Sequence, residues 1–484
     1  MFAQSANDWP AFNRTLTGDR FAPQTEITPA NAAKLHEVCR YDLKQQTSFQ
    51  TGPIVLGGVI YITTGHDTVA LDAATCAEKW RVHEDYVPAV PNDVNRGAAV
   101  LNGRVFRGTQ DGRVLAYDAV TGKRLWEATI GDKTKAESIP TALLAWNGLV
   151  FAGNAGSEKI PVKGRIYALD AATGKIVWEQ YMAPREAEDK PRGPAAPAPK
   201  VVSTKDATGG TSWTAYSLDP ATGTMYVPGG NPSNAKDVSY TVALDAKTGA
   251  VKGSYGAVAH DFHDWEVSAA AALFTTKGGK HLMAAATKDG NVYVMTQAGG
   301  HPVWTAPVTT ITDATAPMKP GGVHFCPGGQ GGDEWNGAAY APLTNMVYVG
   351  AVDWCATAMP PVGNAESKRV TDPLDTATGW VTALNAETGK LAWHFHAPSP
   401  VLSGITPTAG GVVFAGDLAG TLYEFDAKTG DVAWKSNVGG AIGGGIVSYA
   451  TAAGAQRIAV AAGMKSNVWP MAKGGAVLVV YGLQ

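Results

Sequence analysis

The sequence predicts an all-β fold: a single closed β-propeller of eight blades, one domain over residues 1–484, built from tryptophan-docking repeats. Three observations predict it. A short unit recurs along the chain, each copy has the chemistry of a β-hairpin, and helical periodicity is nearly absent. The copies are ALDAATCAEKW (70–80), AYDAVTGKRLW (116–126), ALDAATGKIVW (168–178), ALDAKTGAVKG (243–253), ALNAETGKLAW (383–393) and EFDAKTGDVAW (424–434), with a degenerate VYVMTQAGGHPVW at 292–304.

Within each copy an alternating apolar strand ends at Asp-Ala, a DxxTG turn reverses the chain, and a second strand closes on Trp. The Asp side chain can accept from the turn's amides, and Gly supplies the positive φ that the reversal needs. The Trp ring is large enough to cover the seam with the next blade, with its N–H free for a carbonyl there. Upstream hairpins carry Asp-Gly turns at Asp111-Gly112 and Asp289-Gly290. The shorter steps between copies match one four-stranded blade of about 40–50 residues. The long stretch 305–392 has room for two blades, so an eighth unit is expected there. The last blade is expected to join the C-terminal strand GGAVLVVYGL (474–483) to N-terminal strand material, which removes open sheet edges. The Pro/Ala-rich stretch 184–200 reads as a rim loop between blades.

Composition excludes several classes. Gly (57) and Pro (29) are frequent, but 14 Trp, 16 Tyr and 12 Phe provide an ample core, which rules out disorder, collagen and coiled coil. Lys plus Arg (39) against Asp plus Glu (42) leaves −3, with no basic run for a nucleic-acid footprint. No apolar run is long enough to span a bilayer. The N-terminus, MFAQSANDWP, lacks a charged region followed by an apolar core, as expected of a chain whose signal peptide has been removed. The four cysteines fit neither zinc ligation nor haem attachment. They read as disulfides Cys39–Cys76 and Cys326–Cys355 in an oxidising compartment, or else as four buried thiols. Cys76 stands where sister repeats carry Gly.

Chemistry-bearing residues concentrate between the repeats. In order, the segments are NRGAAVLNGRVFRGTQDG (95–112), GNAGSE (153–158), TSWTAYSLDPATGTMYVPGGNPS (211–233), AHDFHDWEVSAAAAL (259–273), ATKDGNVYV (286–294) and FCPGGQGGDEWNGAAYAPLTNMVYVGAVDWC (325–355). Their order, interleaved with the Trp repeats, resembles the family of pyrroloquinoline quinone (PQQ) dehydrogenases, eight-bladed propellers with the quinone in the central channel. Similar repeats also occur in non-enzymatic propellers, including an outer-membrane assembly lipoprotein, so the segments and not the scaffold carry the resemblance.

The resemblance implies a role for each segment. Arg96 matches an arginine that binds a quinone carboxylate, a task suited to a planar, permanently charged guanidinium. Ala155, Gly156 and Ser157 match small residues that let the backbone approach the quinone, and Glu158 a metal ligand. Thr211 and Trp213 match the cofactor floor, with the indole as stacking surface, and Asn231 matches an amide-oxygen ligand. These are hard oxygen donors, appropriate for Ca²⁺ or a lanthanide. Asp264 matches the catalytic carboxylate, which also faces the metal. Glu266 stands where lanthanide-using relatives carry Asp and calcium-using methanol enzymes carry Ala. Lys288 matches a cation bonding the quinone oxygens. Trp335 matches well, whereas Glu334 replaces a frequent Asn, and Gln50 replaces a carboxylate or amide near the quinone's acid groups. The adjacent cysteines of methanol-oxidising members correspond to Val90 and Pro91, so that disulfide is missing.

The function implied is a periplasmic PQQ-dependent dehydrogenase oxidising a small-molecule alcohol, with a separate cytochrome c or similar electron acceptor, since no haem motif is present. Three alternatives are a non-enzymatic scaffold, a PQQ enzyme for aldehydes or polymeric alcohols, and a transition-metal site at His260, Asp261, His263 and Asp264. The last needs a bent loop, because histidines three apart on a strand face opposite sides. The particular alcohol, the ion and the oligomeric state are not legible, and the segment 185–200 is a candidate lid.

Overall fold

The computed structural model describes residues 5–90, 93–156, 162–183, 189–197, 210–230, 239–258, 262–299, 301–361 and 367–484. Its strands form eight four-stranded antiparallel sheets and one three-stranded sheet. Among the described residues the only helices are three short 3₁₀ turns, and none is long and apolar enough to cross a membrane.

The first blade comprises Ile54–Leu56, Val59–Thr63, Asp67–Asp72 and Glu78–His83. Six more follow in chain order with first strands at Ala99–Leu101, Leu144–Trp146, Ser217–Asp219, Ala272–Thr275, Ala339–Ala341 and Thr406–Pro407. The eighth combines Ile446–Ala450, Gln456–Ala462 and Val477–Leu483 with the N-terminal strand Leu35–Asp42. Tyr41 lies opposite Leu478 and Asp42 opposite Val477 in that closing pair. Inner strands are buried, while outermost strands such as Glu78–His83 alternate with solvent, as sheets standing radially round an axis require.

Eight apolar clusters fill the eight seams. One holds Tyr61 and Ala70 of the first blade with Val100 and Val105 of the second. Another closes the circle, packing Ile60 and Leu71 of the first blade on Val447 and Leu478 of the eighth. The repeated tryptophans lock adjacent blades. Trp80 donates its indole N–H to the Ala119 carbonyl at 3.1 Å, Trp126 to Ala171, Trp178 to Ala246, Trp304 to Ala386 and Trp393 to Ala427. Every acceptor is the Ala of the next blade's Asp/Asn-Ala pair. The glycine of that same turn is doubly required. Gly122 has φ +71°, and a Cβ there would stand 2.8 Å from the Trp80 ring. Asp118 accepts from the amides of Val120 and Thr121, as the repeat chemistry anticipates.

Three seams depart from the pattern. The fourth blade has Gly253 in place of Trp, and Tyr226 bonds the Gln297 carbonyl instead. At ring closure Tyr449 reaches Ala73 O at 2.7 Å. At the seam from the seventh blade to the eighth, Trp434 packs edge-on against Tyr481. The stretch 305–392 holds one blade, not two. Its extra length forms the three-stranded sheet Val323–Phe325, Ala356–Met359 and Lys368–Thr371. The eighth blade is instead the closing one, so the count of eight stands on a different division of the chain.

Both disulfides are present. Cys39–Cys76 links the outermost strand of the eighth blade to a turn of the first, across the closure. Cys326–Cys355 ties together the two excursions that build the three-stranded sheet. Of the stretch 184–200, residues 189–197 are described and lie along the third blade. Ala195 bridges Glu179, and Arg192 donates to Ile130 O.

Candidate active site

Antiparallel blades gather two kinds of loop on one face of the ring: the segment entering each first strand, and the turn between second and third strands. Gln50, Arg96, Thr211, Trp213, Asp264, Glu266 and Trp335 lie in entering segments of the first, second, fourth, fifth and sixth blades. Ala155, Gly156 and Lys288 lie in second-to-third turns. Residues scattered over nearly 300 positions therefore share one end of the channel.

The centre is the Trp213 indole, only partly buried. Arg96 holds its guanidinium carbon 4.6 Å from that ring's centroid and 5.2 Å from the Trp335 ring. Its Nη1 donates to Trp213 O at 3.0 Å. Lys288 Nζ lies 5.8 Å from the same indole. Glu266 is buried and joins the pair, accepting from Trp213 Nε1 at 3.2 Å and from Lys288 Nζ at 3.0 Å. Burial opposes charge on Lys288, but the attraction of Glu266, Glu334 and Asp264 prevails and holds the ammonium above its ordinary value. A side chain at Gly230 would collide with Glu266 Oε2 and with Trp213, so this position must be small.

Trp335 is fixed by donating to Gly443 O at 2.8 Å, while its neighbour Asn336 donates to Leu402 O. The segment around it lies on the Lys288 turn, through Gly332 N to Lys288 O and Asp333 N to Thr287 O. Glu334, buried among Lys288, Glu266, Arg96 and Asp264, is pushed by burial up to about 7, against the pull of Lys288. Burial, reinforced by Glu334, also raises the Asp333 carboxyl well above its ordinary range. Gln50 is buried, with Nε2 donating to Ser48 Oγ and Met464 Sδ and with Oε1 lacking a partner. Met464 belongs to the apolar cluster that contains Trp335.

Ser157, Glu158, Asn231, His260, Asp261 and Pro91 lie outside the described residues. Their neighbours converge nonetheless. Thr211 Oγ1 bonds Gly156 O, and Gly230 N bonds Thr211 O. Ala155 bridges Ser138. His263 stacks between Phe262 and Trp265, at 4.0 and 4.1 Å, as a buried core ring. Among the described residues the one trio of metal-ligating types is His324, Cys355 and Asp372, and Cys355 is already in its disulfide.

Asp264 stands at φ +70° with its side chain 38% exposed, and pairs with Arg369 at 3.3 Å. Arg369 is the residue that sequence reasoning missed. It lies in the three-stranded sheet, where SKRVT matches no repeat or motif and only tertiary structure brings it to the site. The assembled site offers a flat aromatic floor, a buried and a partly buried cation for an anionic planar molecule, and carboxylates at its edge.

The family model described as glucose/ethanol/alcohol dehydrogenase, beta-propeller domain (PQQ) matches residues 9–317. A second, described as outer membrane protein assembly factor BamB, matches residues 377–480. The chain is 27% identical to the dehydrogenase subunit of alcohol dehydrogenase (quinone) from Acetobacter aceti, over 97% of this chain and 72% of that one. It is 28% identical to the lanthanide-dependent methanol dehydrogenase of Methylacidiphilum fumariolicum (strain SolV), over 94% and 84%. Among solved structures, a europium-containing methanol dehydrogenase superposes with a TM-score of 0.85 at 25% identity, covering 99% of both chains.

Proposed function

Since the chain belongs to the PQQ glucose/ethanol/alcohol dehydrogenase β-propeller family, we propose that it is a periplasmic dehydrogenase oxidising an alcohol to an aldehyde or ketone. PQQ is its cofactor, Ca²⁺ or a lanthanide its ion, and a separate cytochrome c its electron acceptor. Residues 1–484 act as one propeller domain. The two disulfides favour an oxidising compartment.

One observation carries this reading: Arg96 and Lys288 both stand over a single partly open indole, Trp213, with Glu266 bonded to both the indole and the lysine. This chemistry fits an acidic, flat, aromatic cofactor. The orphaned Gln50 Oε1 and the obligatory smallness of Gly230 fit it too, one as an unused buried acceptor and the other as clearance. For the ion, Glu266 Oε1 is engaged by Lys288 and Trp213, and Oε2 lies beside Gly230, one position before Asn231 in the sequence. Glu158, Asn231, Asp264 and Glu266 make an all-oxygen donor set suited to a hard cation.

When bound, PQQ supplies the two-electron acceptor for the substrate hydride and the cation supplies Lewis acidity. The chain's own residues do the rest. Arg96 binds carboxylate charge. Trp213 and Trp335 would set the plane, with Ala155, Gly156 and Thr211 at its approach. Lys288 holds positive charge where negative charge develops. Asp264, the most solvent-accessible of the described carboxylates here, takes the alcohol O–H proton. The test is reconstitution with PQQ and either Ca²⁺ or La³⁺, followed by dye-linked turnover over an alcohol panel. Wild type is expected to turn over and Asp264→Asn to fall by about 10²-fold or more. Full turnover by the Asn variant removes Asp264 as base.

A further inference from the structure

We propose that Arg369 is a positioning residue for Asp264, so that the three-stranded sheet aims the proton acceptor. The inference rests on the reading of Asp264 as that acceptor. Arg369 spans two points of the 262–264 segment: Nη1 donates to Phe262 O at 3.2 Å and Nη2 pairs with Asp264 Oδ2 at 3.3 Å. A rigid guanidinium bound to a carbonyl and a carboxylate two residues apart fixes both the backbone path and the side-chain direction. Asp264 needs such a constraint. It is a non-glycine residue in the left-handed region, and its side chain is more than a third exposed.

The arginine is itself mounted firmly. Its strand, Lys368–Thr371, pairs with Ala356–Met359, and that strand pairs with Val323–Phe325. Cys326–Cys355 joins the two excursions. The arginine stem rests on Gly329, where an added Cβ would stand 3.0 Å from Cδ and Nε. The same loop is held to the Asp264 segment by Trp265 Nε1 donating to Gly328 O. Among the described residues Arg369 makes no bond to Trp213, Arg96 or Lys288. Its loss should therefore leave cofactor binding intact and disturb the chemical step alone.

The test compares Arg369→Gln, Arg369→Lys and Gly329→Ala in the full chain, reading kcat, KM and the PQQ Kd from tryptophan quenching. Arg369→Gln is expected to lower kcat by about 10–100-fold, with KM and Kd within about threefold of wild type. Arg369→Lys, one point charge for two acceptors, should recover part of the loss. Gly329→Ala should reproduce it by displacing the stem while retaining the charge. A kcat within about twofold of wild type in Arg369→Gln, or a Kd that rises in step with the kcat loss, overturns the proposal. In an Asp264→Asn background, Arg369→Gln should cost nothing further. If Asp264→Asn retains full turnover, the base reading itself has failed. If Arg369→Gln lowers kcat additively there, the base reading survives and the positioning role falls.

Discussion

The Arg96 guanidinium engages Trp213 twice, lying 4.6 Å over its ring and donating to its backbone carbonyl at 3.0 Å. The charge and the flat surface are thus held in one register by a single residue. Trp213→Ala removes the surface while the charge remains, and should weaken PQQ by about tenfold or more. Arg96→Lys keeps a charge but loses the fork, and should weaken PQQ by a similar factor. Equilibrium dialysis measures both, and an unchanged Kd for Trp213→Ala means that stacking does not hold the cofactor.

On the proposed reading, Glu266 is the residue that discriminates between the ions. Glu266→Gln preserves an acceptor for Lys288 and Trp213 while removing the anionic oxygen beside Gly230. If a trivalent ion is native, La³⁺ affinity should fall by about tenfold or more and Ca²⁺ affinity by only about threefold. Calcium-supported turnover that is indifferent to the change, with no loss of La³⁺ binding, counts against a lanthanide.

Glu424 should make the stability of the fold depend on pH. It stands where five sister repeats carry Ala (70, 116, 168, 243 and 383), wholly buried opposite Trp434, with neither carboxylate oxygen bonded. Burial pushes its pKa up to about 8. A group raised in the folded state contributes stability fully below its unfolded pKa, near 4.5, and loses it as pH rises through 8. The unfolding free energy should therefore fall between about pH 5 and 8, by a few kcal/mol in all, and denaturant midpoints with it. Glu424→Ala should flatten that slope. An equal slope in both proteins assigns it to other groups.

Cys76 adopts φ +60°, the conformation that sister turns assign to Gly. Cys39→Ser with Cys76→Gly removes a bridge of 37-residue separation, worth about 3–4 kcal/mol on loop entropy. Relief of the turn offsets part of it. The midpoint should drop, and reductant should shift it less than in wild type, because Cys326–Cys355 is the one bridge left to reduce. A midpoint equal to wild type would assign ring closure to the strand pairing alone.

The fold was legible because its determinants are local and repeated. The Asp turn, the glycine and the Trp mark each blade within eleven residues, and even the acceptor of the indole N–H lies in the next copy. The closing blade lacks such a unit, yet its union of 474–483 with N-terminal strand material was legible. Its seam is filled by Tyr449, and one of its four strands comes from the other end of the chain. The length of 305–392 misled, because it holds an insertion and not an eighth unit. The site was legible where a residue lies in a segment entering a blade or in a blade turn, as Arg96, Trp213 and Lys288 do. Arg369 was not, because its strand sits in an insertion and its contact with Asp264 depends on how that insertion folds back.

Leu35–Asp42 pairs with Val477–Leu483, so the ring's first strand in chain order waits for its last. Until residue 483 is available, seven sheets form an open arc with two unprotected rims, able to recruit stray strands. The pocket likewise lacks the Met464 side that backs Trp335. On the proposed function, quinone loading would follow the pairing of these two strands, and the chain has to be kept until then from curling into its half-built circle.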